Sequence, residues 1–446
     1  MKNITKQVYK GLILPFRGIL SGYSILEAYK LLRKTQYLPK KELEKLQLIK
    51  LKEIVKHAYE TVPYYNKKFK EYKVKPDDIK TLKDIKKLPI LTREDVFNNF
   101  PNNIVSNSYI KTHQKGLTLG YTGGSSGNPL KFYKDSLTMS MLLACQWRGW
   151  SYGGYKIGDK IALLGGSSLV PFLGSSLKSK FKLKFSSFIK RMLPLSAYTL
   201  DEETMNVYIK KLIKYKPDII IGYPSALKVL AEHIESKNIM TINPKSVHVT
   251  SEMLFQDQRK AIEKNFNCKV FDGYGSGEAI VSAFECEQHN GLHLTAETGI
   301  TEIIGNEMIV TSILNKATPF IRYKIGDKSK FINRECSCGR PLPLIDHIQG
   351  REGDFLIGKN NRKVSTVGLT LMFGQAKVKE YQLIQESKNK IIVRIVKDKD
   401  YSNKKTEYIT NSLERWLGNG IDIDIQFVDK IPLTKAGKRI VLIKKI

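Results

Sequence analysis

Between Leu119 and Pro129 the chain reads Leu-Gly-Tyr-Thr-Gly-Gly-Ser-Ser-Gly-Asn-Pro. Glycine tolerates positive φ and lets the backbone approach an anion closely, so successive N–H groups can turn inward. The hydroxyls of Thr122, Ser125 and Ser126 add donors for phosphate oxygens, around the bare backbone of Gly123, Gly124 and Gly127. No Gly-Lys-Ser/Thr follows, so this is not an ordinary P-loop. Alone, the stretch reads equally well as an exposed Gly/Ser turn. It is accompanied, however, by Asp272-Gly273-Tyr274-Gly275-Ser276-Gly277-Glu278, an aromatic–glycine turn that follows a strand pattern and closes on a carboxylate. Then come a basic run from Thr318 to Asp327, the segment Gly350-Arg351-Glu352-Gly353-Asp354, and Pro432-Leu433-Thr434-Lys435-Ala436-Gly437-Lys438.

The elements that must hold these residues are readable in outline. From Pro39 to Tyr65, apolar residues recur mainly every three or four positions (Leu43, Leu46, Leu51, Ile54, Val55, Ala58), which predicts a helix buried along one face and ended by Pro63. From Ile161 to Ile348 the pattern changes to short apolar runs separated by helical stretches. Strands are expected at Ile161–Leu164, Ile219–Ile221, Val247–Val249, Val270–Phe271 and Met308–Thr311, with helices at Asp201–Tyr215, Ser225–Ser236 and Gln256–Phe266. That alternation indicates an α/β domain with largely parallel sheets. Past Gly350 the order is strand (Gln382–Ile384, Ile391–Val396), helix (Thr406–Leu417), strand (Ile421–Phe427), which suggests α+β. The expected division is therefore 1–350, a large α/β domain with a helical opening, and 351–446, a small domain.

Composition narrows the function classes. The 446 residues carry a formal charge of +31, yet Arg occupies only 14 of the 74 basic positions and the lysines run through the whole chain. Nucleic-acid readers concentrate Arg at their contacts, because its planar fork makes paired hydrogen bonds. A solvated basic surface is the better reading, and no nucleic-acid partner is expected. No stretch approaches the ~20 uninterrupted apolar residues of a membrane helix. The apolar run from Gly11 to Leu20 contains Pro15 and Arg17 and lacks a signal-peptide cleavage pattern, so the cytoplasm is the expected compartment. Five cysteines, an odd number, argue for a reducing environment rather than a disulfide framework.

The five motifs, in this order, resemble the adenylate-forming superfamily of acyl-CoA synthetases, peptide-synthetase adenylation domains and luciferases. The narrower resemblance is to the phenylacetate–CoA ligase group and its capsular-polysaccharide, CapK-like branch. It rests on Ile54-Val55-Lys56-His57-Ala58-Tyr59-Glu60-Thr61-Val62-Pro63-Tyr64-Tyr65, on Leu195-Ser196-Ala197-Tyr198 with Lys216-Pro217-Asp218 and Gly222-Tyr223-Pro224-Ser225, and on Glu285-Cys286, Gly291-Leu292-His293 and Cys336-Ser337-Cys338-Gly339-Arg340. It covers nearly the whole chain. The resemblance implies that Thr122, Gly123, Gly124, Ser125, Ser126 and Gly127 wrap the phosphates of ATP, that Tyr274 lies against adenine, and that Glu278 holds Mg²⁺. It further implies that Asp327 and Arg351 bind the ribose, and that Lys438, on a small mobile domain, reaches the attacking carboxylate and the α-phosphate.

Those residue types suit the reaction. A carboxylate attacking an α-phosphate brings two anions together, so Mg²⁺, backbone N–H groups and a lysine must offset their repulsion. Two departures stand out. Many members of the group carry Ser or Thr just before the metal-binding Glu, where this chain has Gly277, with Ser276 as the nearest hydroxyl. Gly353 and Asp354 occupy the place where the hinge usually carries paired acids.

Cys336-x-Cys338, Cys286 and either His289 or His293 would supply three sulfurs and one nitrogen to a tetrahedral Zn²⁺. The plain alternative is three small buried residues in a reduced protein. The resemblance favours His293, which belongs to its Gly291-Leu292-His293 phrase, and four protein ligands make a structural site. The stretch from Phe172 to Leu193 interleaves lysines with Phe181, Phe185 and Phe188. It reads as a basic surface insertion first, and as a contact with an anionic membrane at the inner face second. The expected function is an ATP-dependent carboxylate ligase that passes an acyl group to an acceptor in surface-polysaccharide assembly, such as an amino sugar or its carrier. An acyl-CoA or aryl-CoA ligase using coenzyme A, and a catalytically inactive nucleotide-binding relative, are the alternatives.

Overall fold

The helical opening forms where the apolar spacing predicts it. Helix α1 (Ile25–Thr35) is followed by α2 (Lys40–Thr61), which buries Leu43, Gln47, Leu51, Ile54, Val55 and Ala58 on one face. Pro63 does not simply end this helix. It stands in the first turn of α3 (Pro63–Glu71), where its missing N–H has no intrahelical partner to lose. Helix α4 (Arg93–Asn99) starts at a capping box of Thr92 and Asp95. The structure, a computed structural model, describes residues 7, 9, 11, 14–15, 24–110, 117–122, 130–166, 189, 191–197, 200, 202–278, 280–349, 355–359, 363–376, 378–398, 401–432 and 441–446.

A hairpin of β1 (Thr118–Tyr121) and β2 (Lys131–Lys134) precedes α5 (Ser136–Tyr152). Then come β3 (Ile161–Gly165), β4 (Met192–Ser196), α6 (Glu202–Tyr215), β5 (Ile219–Gly222), α7 (Pro224–Ser236), β6 (Ser246–Val249), α8 (Gln256–Phe266) and β7 (Lys269–Gly275). Next are β8 (Ser282–Glu285), β9 (Leu292–Leu294), β10 (Gly299–Ile304), β11 (Glu307–Ser312), β12 (Tyr323–Lys328) and β13 (Leu344–Ile345). The main sheet has the order β13-β9-β8-β7-β6-β5-β3-β4. Its strands from β4 to β7 are parallel and bury α6, α7 and α8, which connect β4 to β5, β5 to β6 and β6 to β7. The expectation of largely parallel sheets fails at the other end. β7, β8, β9 and β13 pair antiparallel, and β10-β11-β12 make a separate antiparallel sheet. The links from β7 to β8 and from β8 to β9 are too short for the crossover that a parallel pair needs.

The last segment holds β14 (Phe355–Ile357), β15 (Lys363–Ser365), α9 (Thr366–Gln375), β16 (Glu380–Ser387), β17 (Lys390–Val396), α10 (Asn403–Leu417), β18 (Asp422–Phe427) and β19 (Leu442–Lys444). The four-stranded sheet β18-β17-β16-β19 packs under α9 and α10 around Leu369, Phe373, Leu383, Val393, Ile409 and Leu413. This core is made only of residues from 356 onward. Elsewhere, a buried ion pair fastens the opening helix to the body. Arg148 of α5 meets Glu297 at 2.6 Å, and Glu297 also accepts from Thr35 at the end of α1.

Candidate active site

The hairpin β1–β2 brings the two ends of the Gly/Ser loop together. Thr122 N–H donates to the Leu130 carbonyl at 3.0 Å, and Leu130 N–H donates to Thr122 Oγ1 at 2.9 Å. Thr122 is buried, and Arg93 at the start of α4 donates to the same Oγ1 at 3.3 Å. Gly123, Gly124, Ser125, Ser126 and Gly127 lie outside the described residues. The root of the loop abuts the turn that leaves β7, because a β-carbon at Gly277 would stand 3.6 Å from both the Thr122 Cα and the Tyr121 carbonyl. Two motifs far apart in sequence thus share one wall, beyond the carboxyl end of β7, where ligand sites of parallel sheets lie.

Glu278 follows directly, only 4% exposed, with the Tyr323 hydroxyl donating to Oε1 at 3.4 Å. Lys134, at the end of β2, is partly buried. Burial lowers its pKa, and the Glu278 charge opposes that shift. One step along the same turn, the Tyr274 hydroxyl donates to Asp327 Oδ2 at 2.6 Å. Asp327 belongs to β12, whose approach is fixed from the helical opening: buried Tyr65 donates to the Pro319 carbonyl and accepts from Ile321 N–H. Ser276 is tied into the turn, its Oγ accepting from Ile280 N–H at 3.3 Å. Thr122, Tyr274, Glu278 and Asp327 are therefore gathered at one place. Arg351, Gly353, Asp354 and Lys438 lie outside the described residues, as does most of the basic stretch from 172 to 193.

Three residues beside these had no role assigned from the sequence: Arg93 and Lys134, which lie in no motif, and Tyr323. Arg93 looks like an ordinary first-turn residue in Leu-Thr-Arg-Glu-Asp, and only the fold shows that it faces Thr122. Tyr323 lies inside the Thr318–Asp327 run, so its neighbourhood was legible though its partner was not.

A separate cluster joins Cys286, His293, Cys336 and Cys338, whose ligand atoms all lie within 4.8 Å of one another. His289 is not part of it; its ring pairs with Glu285 at 3.2 Å and packs on Phe271. A cavity of about 560 Å³ opens between α6–α7 and α10, lined by Met205, Ser225, His233, Arg415 and Trp416. None of the five motifs lines it, although Ala197 and Ser225 of the narrower resemblance do.

The chain as a whole is similar to known proteins. A family model described as the CapK C-terminal domain matches residues 356–445. Protein CapK of Staphylococcus aureus is 31% identical over 420 residues, covering 89% of this chain and 88% of that one. The chain belongs to the CapK family. Beyond that family, a phenylacetate-coenzyme A ligase of Pseudomonas putida is 26% identical over 338 residues, or 71% of this chain and 72% of its own. A 2-hydroxyisobutyryl-CoA ligase, solved with 2-HIB-AMP and CoA, superposes with a TM-score of 0.60 at 18% identity over 92% of both chains. That likeness gives the fold. The kinship to CapK and to phenylacetate-coenzyme A ligases makes this CapK-family chain an adenylate-forming ligase, on an α/β architecture.

Proposed function

We propose that this CapK-family protein activates a small carboxylic acid with ATP as an acyl-adenylate and passes the acyl group to an acceptor in surface-polysaccharide assembly, an amino sugar or its carrier. The observation that carries the reading is the shared wall of Thr122 and Gly277–Glu278, with Tyr274 bonded to Asp327 beside it. In this reading the loop from Thr122 to Gly127 holds phosphates, Tyr274 faces the adenine, and Asp327 with Arg351 takes the ribose hydroxyls. Glu278 is a buried carboxylate with an oxygen-only donor set, which fits Mg²⁺, a hard cation that prefers oxygen ligands. Mg²⁺ there would offset phosphate charge, and Lys438 would do the same at the attacking carboxylate.

The division at 350/351 belongs to this reading, with residues 351–446 as a small domain that carries Lys438 and moves between the two half-reactions. So do a cytoplasmic site of action and a structural Zn²⁺ apart from the reaction, while contact of the basic stretch with the inner membrane face is its second reading, after a plain surface insertion. Among the described residues, no helix is long and apolar enough to cross a membrane. Coenzyme A is the alternative acceptor, favoured by the phenylacetate-coenzyme A ligases among the relatives. ATP–pyrophosphate exchange across a panel of carboxylic acids tests the first half-reaction. One or more acids are expected to support exchange, and Lys438→Ala to lower it about 100- to 1000-fold, the usual loss on removing one charge-stabilising donor. Exchange with no acid, while ATP still binds, would instead mark a nucleotide-binding protein without ligase activity.

A further inference from the structure

Cys286 immediately follows β8, His293 lies within β9, and Cys336 and Cys338 sit in the connection leading to β13. β9 pairs with β8 on one side and β13 on the other, with His293 opposite both Phe284 and Leu344. The antiparallel end of the main sheet thus delivers three chain segments to one point. Cys286 Sγ stands 3.6 Å from Cys336 Sγ, and Cys338 Sγ stands 3.3 Å from His293 Nε2. Ligands bound to zinc at about 2.0–2.3 Å lie roughly 3.3–3.8 Å apart across a tetrahedron. The sulfur separation is far beyond the ~2.05 Å of a disulfide. Gly339 follows with φ 75°, a conformation that glycine adopts freely, and its N–H donates to the Cys336 carbonyl at 3.1 Å. That tight turn draws the two thiols of Cys336-x-Cys338 together.

Three thiols and an imidazole select a soft or borderline metal over Mg²⁺, and four protein ligands leave no position for substrate. Arg340, two residues beyond Cys338, shows what the site holds in place. Its guanidinium lies 4.2 Å over the Tyr152 ring and 5.7 Å from that of Tyr37. Its Nε donates to Gln36 Oε1 at 3.2 Å and its Nη1 to the Glu287 carboxylate at 3.0 Å. Gln36 and Tyr37 directly follow α1, and Tyr152 ends α5.

We propose that Cys286, His293, Cys336 and Cys338 bind one Zn²⁺, and that this ion fixes the 336–340 turn so that Arg340 clasps the helical opening of the chain to the body. The inference deepens the structural-zinc part of the reading above and does not depend on ligase activity. Metal analysis therefore can fail while pyrophosphate exchange succeeds, and the reverse.

Full-length protein, purified without chelator or metal affinity resin, is expected to contain about one zinc per chain, as a four-ligand site requires. Cys338→Ser and His293→Ala are expected to retain about tenfold less. The native protein decides the question even where those variants do not fold. Less than about a tenth of an equivalent, both as purified and after incubation with equimolar zinc under reducing conditions, overturns the site. So does an intact mass that shows a Cys286–Cys336 disulfide in place of metal. For Arg340 the expected result is a lowered melting temperature in Arg340→Ala protein that keeps its full zinc. An unchanged melting temperature in that protein overturns the clasp.

Discussion

Thr122 Oγ1 accepts from both Leu130 N–H and Arg93. In the proposed reading its hydroxyl proton is then the donor for a phosphate, and Arg93 both orients that hydroxyl and adds positive charge beside the loop root. A hydrogen bond to a charged group contributes about 1.5–3 kcal/mol. Arg93→Ala is accordingly expected to lower pyrophosphate exchange roughly 10- to 100-fold, with the melting temperature little changed because the side chain is partly exposed. Activity equal to the native protein's would remove Arg93 from the site. The contrast with Thr122 shows which residues were legible. Thr122 sat in a stretch whose glycines and hydroxyls advertise anion binding by composition. Arg93 announced only the start of a helix, and its partner lies 29 positions away.

At the scale of elements, the parallel strands β3, β5 and β6 were read almost to the residue, because they are short apolar runs flanked by amphipathic helices. β7 is longer than its apolar pair Val270–Phe271, since it continues through Asp272-Gly273-Tyr274-Gly275 to the site. Polar and glycine residues hide a strand whose far end serves a ligand rather than a core. The antiparallel half of the sheet was missed for a related reason, as β9 and β13 are three and two residues long. Nor did any pattern flag Arg148, the buried cation within α5. Its bidentate pairing with Glu297 joins α1, α5 and the segment before β10. Removing one partner of a buried pair leaves an uncompensated charge and typically costs about 3–5 kcal/mol. Glu297→Ala should lose stability of that order in chemical denaturation. A loss under about 1 kcal/mol, the range of exposed pairs, would show that Arg148 is otherwise satisfied.

For the whole molecule, the alternation of strand and helix patterns indicated the fold class, and its change past Gly350 the boundary near residue 350. The structure adds that the core around Leu383, Val393 and Leu413 draws only on residues after that point. If the proposed division is right, a fragment spanning 351–446 should melt cooperatively, as a unit with its own core does. A gradual, non-cooperative transition would mean that this core needs the body. The charge of +31 belongs to the same scale. Some of the described lysines pair on the surface with a carboxylate three or four residues away, such as Lys30–Glu27 and Lys50–Glu53. Such pairs contribute little to stability, which agrees with a solvated surface rather than one built for a single large polyanion.

Gly277, the bare residue just before Glu278, looks at first like a concession to crowding between the two loops. The contact distances say otherwise. A β-carbon there would rest in ordinary van der Waals contact at 3.6 Å, and its φ lies outside the left-handed range that only glycine adopts easily. The native backbone would therefore accept alanine, while the unfolded chain would lose freedom. Gly277→Ala should raise stability by about 0.4–1 kcal/mol through that loss alone, measurable as a higher denaturation midpoint at unchanged slope. The glycine thus leaves the folded chain with unrealised rigidity at the seam between its first two motifs, a reserve of stability that natural variation could draw on with a single substitution.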